Sequence, residues 1–149
     1  MGNSARNFFD KNQQQEILNA IRAAELNTSG EIRVHIENKC PGDVLDRAAQ
    51  VFDKLQMQKT RLRNGVLFYL STENRKFAIL GDAGINALVP ENFWDEIKEW
   101  MTQQFREGRF TEGLAGAILR AGEQLKMHFP FQSDDVNELP DEISFGKNE

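Results

Sequence analysis

Apolar positions along the chain recur in two rhythms, one of helical period and one of period two. From Asp10 to Leu26 the first rhythm holds, with Ile17, Leu18, Ile21 and Ala24 at helical spacing and Asp10 placed to cap the first turn. Asn27-Thr28-Ser29-Gly30 stops that helix. Glu31-Ile32-Arg33-Val34-His35-Ile36-Glu37 then alternates strictly, which predicts a half-buried strand. Cys40-Pro41-Gly42 breaks the chain, and Asp43 caps a second helix whose Val44, Leu45, Ala48, Val51, Phe52 and Leu55 share a face. Val66-Leu67-Phe68-Tyr69-Leu70 is apolar without interruption, as expected of a central strand covered on both sides.

Ser71-Thr72-Glu73-Asn74-Arg75 is a polar turn, and Lys76-Phe77-Ala78-Ile79-Leu80 returns antiparallel to its partner. The hairpin runs into Gly81-Asp82-Ala83-Gly84-Ile85, which reads as a loop whose glycines serve positive φ or close backbone approach. A helix follows with Phe93, Ile97, Trp100, Met101 and Phe105 on its buried side, ended by Gly108. Thr111 is placed to cap the last helix, in which Gly113, Gly116 and Gly122 predict close packing against other backbone. Past Phe129-Pro130-Phe131 regular structure fades, with Val136, Leu139, Ile143 and Phe145 as anchors for the tail.

The order α-β-α-β-β-α-α predicts a three-layer α/β/α sandwich. Its small mixed sheet has the first two strands parallel through a right-handed crossover, an antiparallel β-hairpin, and helices on both faces. Residues 1–9 read as an N-terminal extension, 10–131 as the domain and 132–149 as an acidic tail. This topology brings the starts of both parallel strands and the end of the hairpin to one rim. Glu25, Glu31, Asn64 and Asp82 are expected there, with Asp134 and Asp135 delivered by the tail. Oxygen-rich side chains among glycines suit a hard divalent cation. Each also has a plainer role: Asp82 as an Asx turn, Glu31 as an exposed strand residue, Asn64-Gly65 as a turn. The opposite rim, with Glu37, Asn38, Asp43, Ser71-Thr72-Glu73, Glu107 and Glu112, lies where open α/β sheets commonly bind ligands and stays open as an alternative.

Charge sharpens this picture. The formal net charge is −5, and six acids against Lys147 put all of it between Asp134 and Glu149. The remaining body is balanced and has no basic stripe, so nucleic-acid binding is not expected. No apolar run approaches membrane-spanning length, so no membrane insertion is expected. Cys40 is the single cysteine and His35 and His128 the only histidines, which excludes an internal disulfide and nearly excludes zinc sites of the usual kind. A soluble, cytoplasmic monomer is the expectation. There is no G-x-G-x-x-G, Walker loop, G-x-S-x-G elbow or EF-hand spacing.

Asn64-Gly65-Val66-Leu67-Phe68-Tyr69-Leu70 and Asn74 through Ile85 resemble the TPM domain family. Thr28-Ser29-Gly30-Glu31-Ile32-Arg33-Val34 matches its first strand, and Phe105-Arg106-Glu107-Gly108-Arg109-Phe110-Thr111-Glu112-Gly113-Leu114 is similar to the segment joining its last two helices. The resemblance covers roughly residues 10–130. It implies the sandwich just described, calcium binding as in some members, and the acid phosphatase activity attributed to a lumenal plant branch. Many relatives are exported or membrane-anchored. Where relatives often carry Gly-x-Gly, an apolar residue and Glu, this chain reads Asp82-Ala83-Gly84-Ile85-Asn86, so one acidic group is lost and another gained. The leading expectation is a divalent cation, calcium first, held at the rim. The alternatives are a metal-assisted acid phosphatase and a metal-free module that binds a protein partner through the acidic tail.

Overall fold

A computed structural model describes residues 5–131 and 138–146. The element order is α1 (Ala5–Phe8), α2 (Lys11–Glu25), β1 (Glu31–Glu37), α3 (Val44–Lys54), β2 (Gly65–Ser71), β3 (Lys76–Gly81), α4 (Ala83–Asn86), α5 (Asp95–Arg106), α6 (Phe110–His128) and β4 (Ile143–Phe145). Asp10 opens α2 with a reciprocal capping box: its carboxylate accepts from the Gln13 amide at 2.8 Å while the Gln13 side chain accepts from its own N–H at 2.9 Å. Asp43 caps α3 by accepting from the Leu45 and Asp46 amides. These two helix starts stand where the sequence placed them.

The sheet runs β3-β2-β1-β4. β1 pairs parallel to β2, with Glu31 opposite Gly65 and Glu37 opposite Ser71, and β2 pairs antiparallel to β3 through the hairpin. Ile32, Val34, Ile36, Val66, Phe68, Leu70 and Ile79 face a core built with α1, α2, α5 and α6; Ala5 and Phe9 belong to it. Leu67, Tyr69 and Ala78 face a smaller core with Ala48, Val51 and Phe52 of α3 and with Leu139. Helices therefore cover both faces, and the mixed α/β/α sandwich is the fold observed.

Three local expectations change. β1 is not half-buried: all of its residues are buried, because within residues 138–146 the chain returns as β4 along the free edge of β1, while Val136, expected as an anchor, lies outside the described residues. The Gly81–Ile85 segment is no positive-φ loop. Asp82 caps the helical turn α4, and among the described glycines only Gly42 and Gly108 have positive φ. Gly84 is needed for close approach instead, since a Cβ there would lie 2.1 Å from the Leu62 carbonyl oxygen. Thr111 does not cap α6; the helix begins at Phe110 and Thr111 is buried in its first turn. The α6 glycines behave as the sequence suggested, with the position of a Gly122 Cβ only 2.6 Å from that of Ala24 on the neighbouring α2.

Candidate functional site

Strict alternation puts Glu31, Arg33, His35 and Glu37 on one face of β1, and every one of them is at least nine-tenths buried. Four ionisable side chains in a row under cover must each find a partner or stay neutral. The strand solves this differently at its two ends.

At the C-terminal end the carboxylate of Glu37 is fully engaged. Arg47 of α3 approaches it with Nε at 2.7 Å and a second guanidinium nitrogen at 2.8 Å, and the Tyr69 hydroxyl donates to it. Burial alone would push the Glu37 carboxyl up, but the donors from Arg47, Tyr69 and His35 outweigh it and hold it at about 2. Burial lowers the His35 pKa against the pull of Glu37, so the ring is neutral. Glu37 can only accept, so His35 Nε2 carries the proton at 3.2 Å from Oε1, and Nδ1 accepts from the Ser144 hydroxyl at 2.9 Å. This end is a closed, satisfied network.

The N-terminal end is not closed. Glu25, the last residue of α2, accepts from the Ile32 amide at 2.8 Å and shares a hydrogen bond with the Asp141 side chain. Burial first, and then the bond to Asp141, push the Glu25 carboxyl up to about 9, beyond what the Ile32 amide can offset. Glu25 is therefore neutral near pH 7 and supplies the proton of that bond. Burial likewise raises Glu31 to about 7, with the charges of Glu138 and Asp141 adding and the Leu139 amide opposing. The Leu139 N–H donates to Glu31 Oε1, which leaves Oε2 with no hydrogen-bond partner among the described residues. Asn64 Oδ1 and Asp141 Oδ1 are buried and unpartnered in the same sense. Such orphaned buried oxygens are uncommon in folded proteins, and an ion or an ordered water is one way to satisfy them.

The residues singled out from the sequence thus separate. Glu25 and Glu31 share one carboxyl cluster. Asn64 adjoins Glu31 through the backbone, its carbonyl accepting the Glu31 amide at 3.2 Å, and its side chain amide points to Ser29. Asp82 stands across β2 from Glu31, roughly 9–10 Å away by two strand spacings, while its amide donates to the Gly65 carbonyl, next to Asn64. Its two oxygens take a bidentate contact from Arg63, each at 2.8 Å, and Oδ1 also caps the Ala83 amide. Asp134 and Asp135 lie outside the described residues. From the sequence Asp141 and Glu138 read only as tail charge; the apolar anchors Leu139, Ile143 and Phe145 beside them are the signal that this part of the tail is docked. Among the described residues no three His, Cys, Asp or Glu side chains already stand close enough to enclose a metal ion. No described helix is long and apolar enough to cross a membrane.

Comparison with known proteins agrees with this architecture. The chain is similar to the BA42 protein of the psychrophilic bacterium Bizionia argentinensis, solved by NMR: 47% identity, TM-score 0.88, covering 93% of this chain and 96% of that one. The N-terminal domain of a P. gingivalis protein has a TM-score of 0.66 at 19% identity, covering 81% of this chain and 78% of that one. The N-terminal domain of the cg2496 protein of Corynebacterium glutamicum has a TM-score of 0.65 at 14% identity, covering 88% and 82%. These last two likenesses concern the fold alone. No curated protein matches the chain. The profile of the TPM domain matches residues 3–124, most of the sequence, and the chain belongs to the TPM domain family.

Proposed function

We propose that this TPM domain binds a divalent cation, calcium by preference, at the N-terminal end of β1, with Glu25, Glu31 and Asn64 as ligands. The reading is supported by two buried oxygens without partners among the described residues, Glu31 Oε2 and Asn64 Oδ1, on residues joined by the bond from the Glu31 amide to the Asn64 carbonyl, and by a Glu25 carboxyl within electrostatic reach of Glu31 and kept neutral by its surroundings. The donor set is all oxygen, which suits a hard cation, and calcium tolerates the irregular geometry that such a rim offers better than magnesium does. The ion takes the place of the proton on Glu25, and metal-free the cluster relaxes around that proton. Asp82 is left out of the ligand set because Arg63 already neutralises it. The bound ion ties the end of α2 to the start of β1, a stiffening role suited to a scaffold. Phosphate-ester hydrolysis would be a second use of the same ion.

Calorimetric titration of the metal-free chain with calcium and with magnesium tests the proposal. Binding with proton release is the expected result, lost in Glu31→Gln and kept in Asp82→Asn. At about a hundred times the dissociation constant the ion should raise stability by roughly 2.7 kcal/mol. No heat and no change in melting temperature with either ion would remove the reading. Aryl phosphate turnover assayed in the same samples, if present, should vanish with Glu31→Gln.

A further inference from the structure

We propose that the C-terminal strap, residues 138–146, is a displaceable occupant of the β1 edge, and that this edge receives in its place an extended acidic peptide of a partner protein, added as a parallel strand. The odd-numbered residues of β1 turn their backbone toward β2: the Glu31 amide donates to the Asn64 carbonyl, and the Thr72 amide donates to the Glu37 carbonyl. The even-numbered residues therefore face the strap. The Ile36 carbonyl accepts from the Gly146 amide at 3.0 Å, and β4 runs parallel with Ile143 opposite Val34 and Phe145 opposite Ile36. Ile143 and Phe145 pack on the larger core, and the Arg6 guanidinium lies 4.8 Å from the centre of the Phe145 ring. On the opposite face Ser144 meets His35 at 2.9 Å, and Glu142 stands 3.7 Å from Arg33. The edge thus takes, in order, an acid, an apolar residue, a hydroxyl donor and an aromatic residue.

The strap fills this edge incompletely. β1 pairs with β2 over seven residues but with β4 over only three, and all three β4 residues stay half-buried. Glu142 reaches Arg33 through one terminal nitrogen at a distance too long for a hydrogen bond, and its side chain remains 69% exposed. Arg33 itself is buried, and its Nε has no hydrogen-bond partner among the described residues. A guanidinium fork is shaped to donate two parallel bonds to one carboxylate, and leaving it partly unpaired under cover is costly. Leu139, buried in the smaller core, fixes where Glu142 can stand three residues later. A separate strand carries no such restraint and can seat its carboxylate on the fork, so the charge of the edge selects an acidic partner. The strap then acts as an internal competitor: it lowers the apparent affinity for the partner by the fraction of time that the edge is bare. This competition needs no bound ion.

Amide hydrogen exchange on the full chain in a chelator tests displacement, and a dye-labelled peptide of residues 138–147, added in trans and followed by fluorescence anisotropy, tests recognition. The Leu139 and Gly146 amides are expected to exchange at least about a hundredfold faster than Phe68 in the centre of β2, because the strap opens while the rest of the fold stays closed. Ile143→Asp lifts the strap off the larger core and leaves β1 intact, so it should bind the peptide at least about tenfold more tightly than the parent chain does. Lysine in place of Glu142 in the peptide should weaken binding at least about tenfold, and that penalty should vanish when the chain also carries Arg33→Gln. Strap amides that exchange in step with Phe68 would overturn the proposal, as would Ile143→Asp binding the peptide no better than the parent. A dimer of the parent chain that the peptide does not dissolve, seen by sedimentation, would assign the edge to a second copy and overturn the partner peptide. Should Ile143→Asp fold poorly, strap exchange in the parent chain, with and without the peptide, decides the matter: faster strap exchange in its presence is expected, and no response refutes displacement.

Discussion

Replacing Glu25 with glutamine should change how the stability of this domain depends on pH. The cluster holds the Glu25 carboxyl at about 9 against an ordinary value of 4.5, and Glu31 at about 7. Both values are raised in the fold, so between pH 4.5 and those values the folded chain binds protons that the unfolded chain has released. Stability must then fall as pH rises through that window, by about 1.4 kcal/mol per unit for each proton held. From about pH 5.5 to pH 8.5, Glu25 alone accounts for up to roughly 4 kcal/mol, with Glu31 adding about 2 kcal/mol before it titrates. Undocking of residues 138–146 from β1 gives the carboxylates a route to water and sets the ceiling on this loss. For a domain of 149 residues, 4 kcal/mol corresponds to roughly 10 °C in melting temperature.

In the Glu25→Gln variant the side-chain amide has no titrating proton, yet it can still accept from the Ile32 amide and donate to Asp141. The variant should lose the larger part of the slope and be the more stable protein above about pH 7.5. Thermal melts in a chelator at half-unit steps, read by circular dichroism, make the comparison. Parallel slopes for parent and Glu25→Gln would refute the claim that this carboxyl is folded in its neutral form.

The other end of β1 should behave in the opposite sense. Glu37 is held at about 2, so its contribution is present above pH 4.5 and lost as pH falls toward 2, about 3 kcal/mol in all, placing the stability optimum in a chelator near pH 4–5. Arg47→Ala should cost about 3 kcal/mol at pH 7 in denaturant melts by leaving a buried carboxylate short of its principal partner, and should erase that acid limb; an unchanged acid limb would show that Tyr69 and His35 suffice. Gly84→Ala should destabilise by about 2 kcal/mol through displacement of α4 from the Leu62 carbonyl, an effect visible as a lower melting temperature and absent if α4 shifts freely.

Much of the architecture follows from local pattern. The caps at Asp10 and Asp43, the apolar run of β2 and the polar turn between β2 and β3 each act over a few residues, and each stands where periodicity places it. The α6 glycines were legible for the same reason, since a helix tolerates them where another backbone comes close. What alternation in Glu31–Glu37 could not tell was whether its polar face meets water or protein. That depended on a strand more than a hundred residues later, since His35 faces Ser144. The same long-range pairing turned tail charges into the Asp141 side of a carboxyl cluster, and it left Asp82, on its own strand end beyond β2, to Arg63. By itself the sequence determined the long helices and the first three strands, because capping and apolar periodicity are short-range; the short α1, α4 and β4 had too few residues to show a period. Only the tertiary structure decided which charges are buried together, because burial and charge pairing depend on which distant segments share a face.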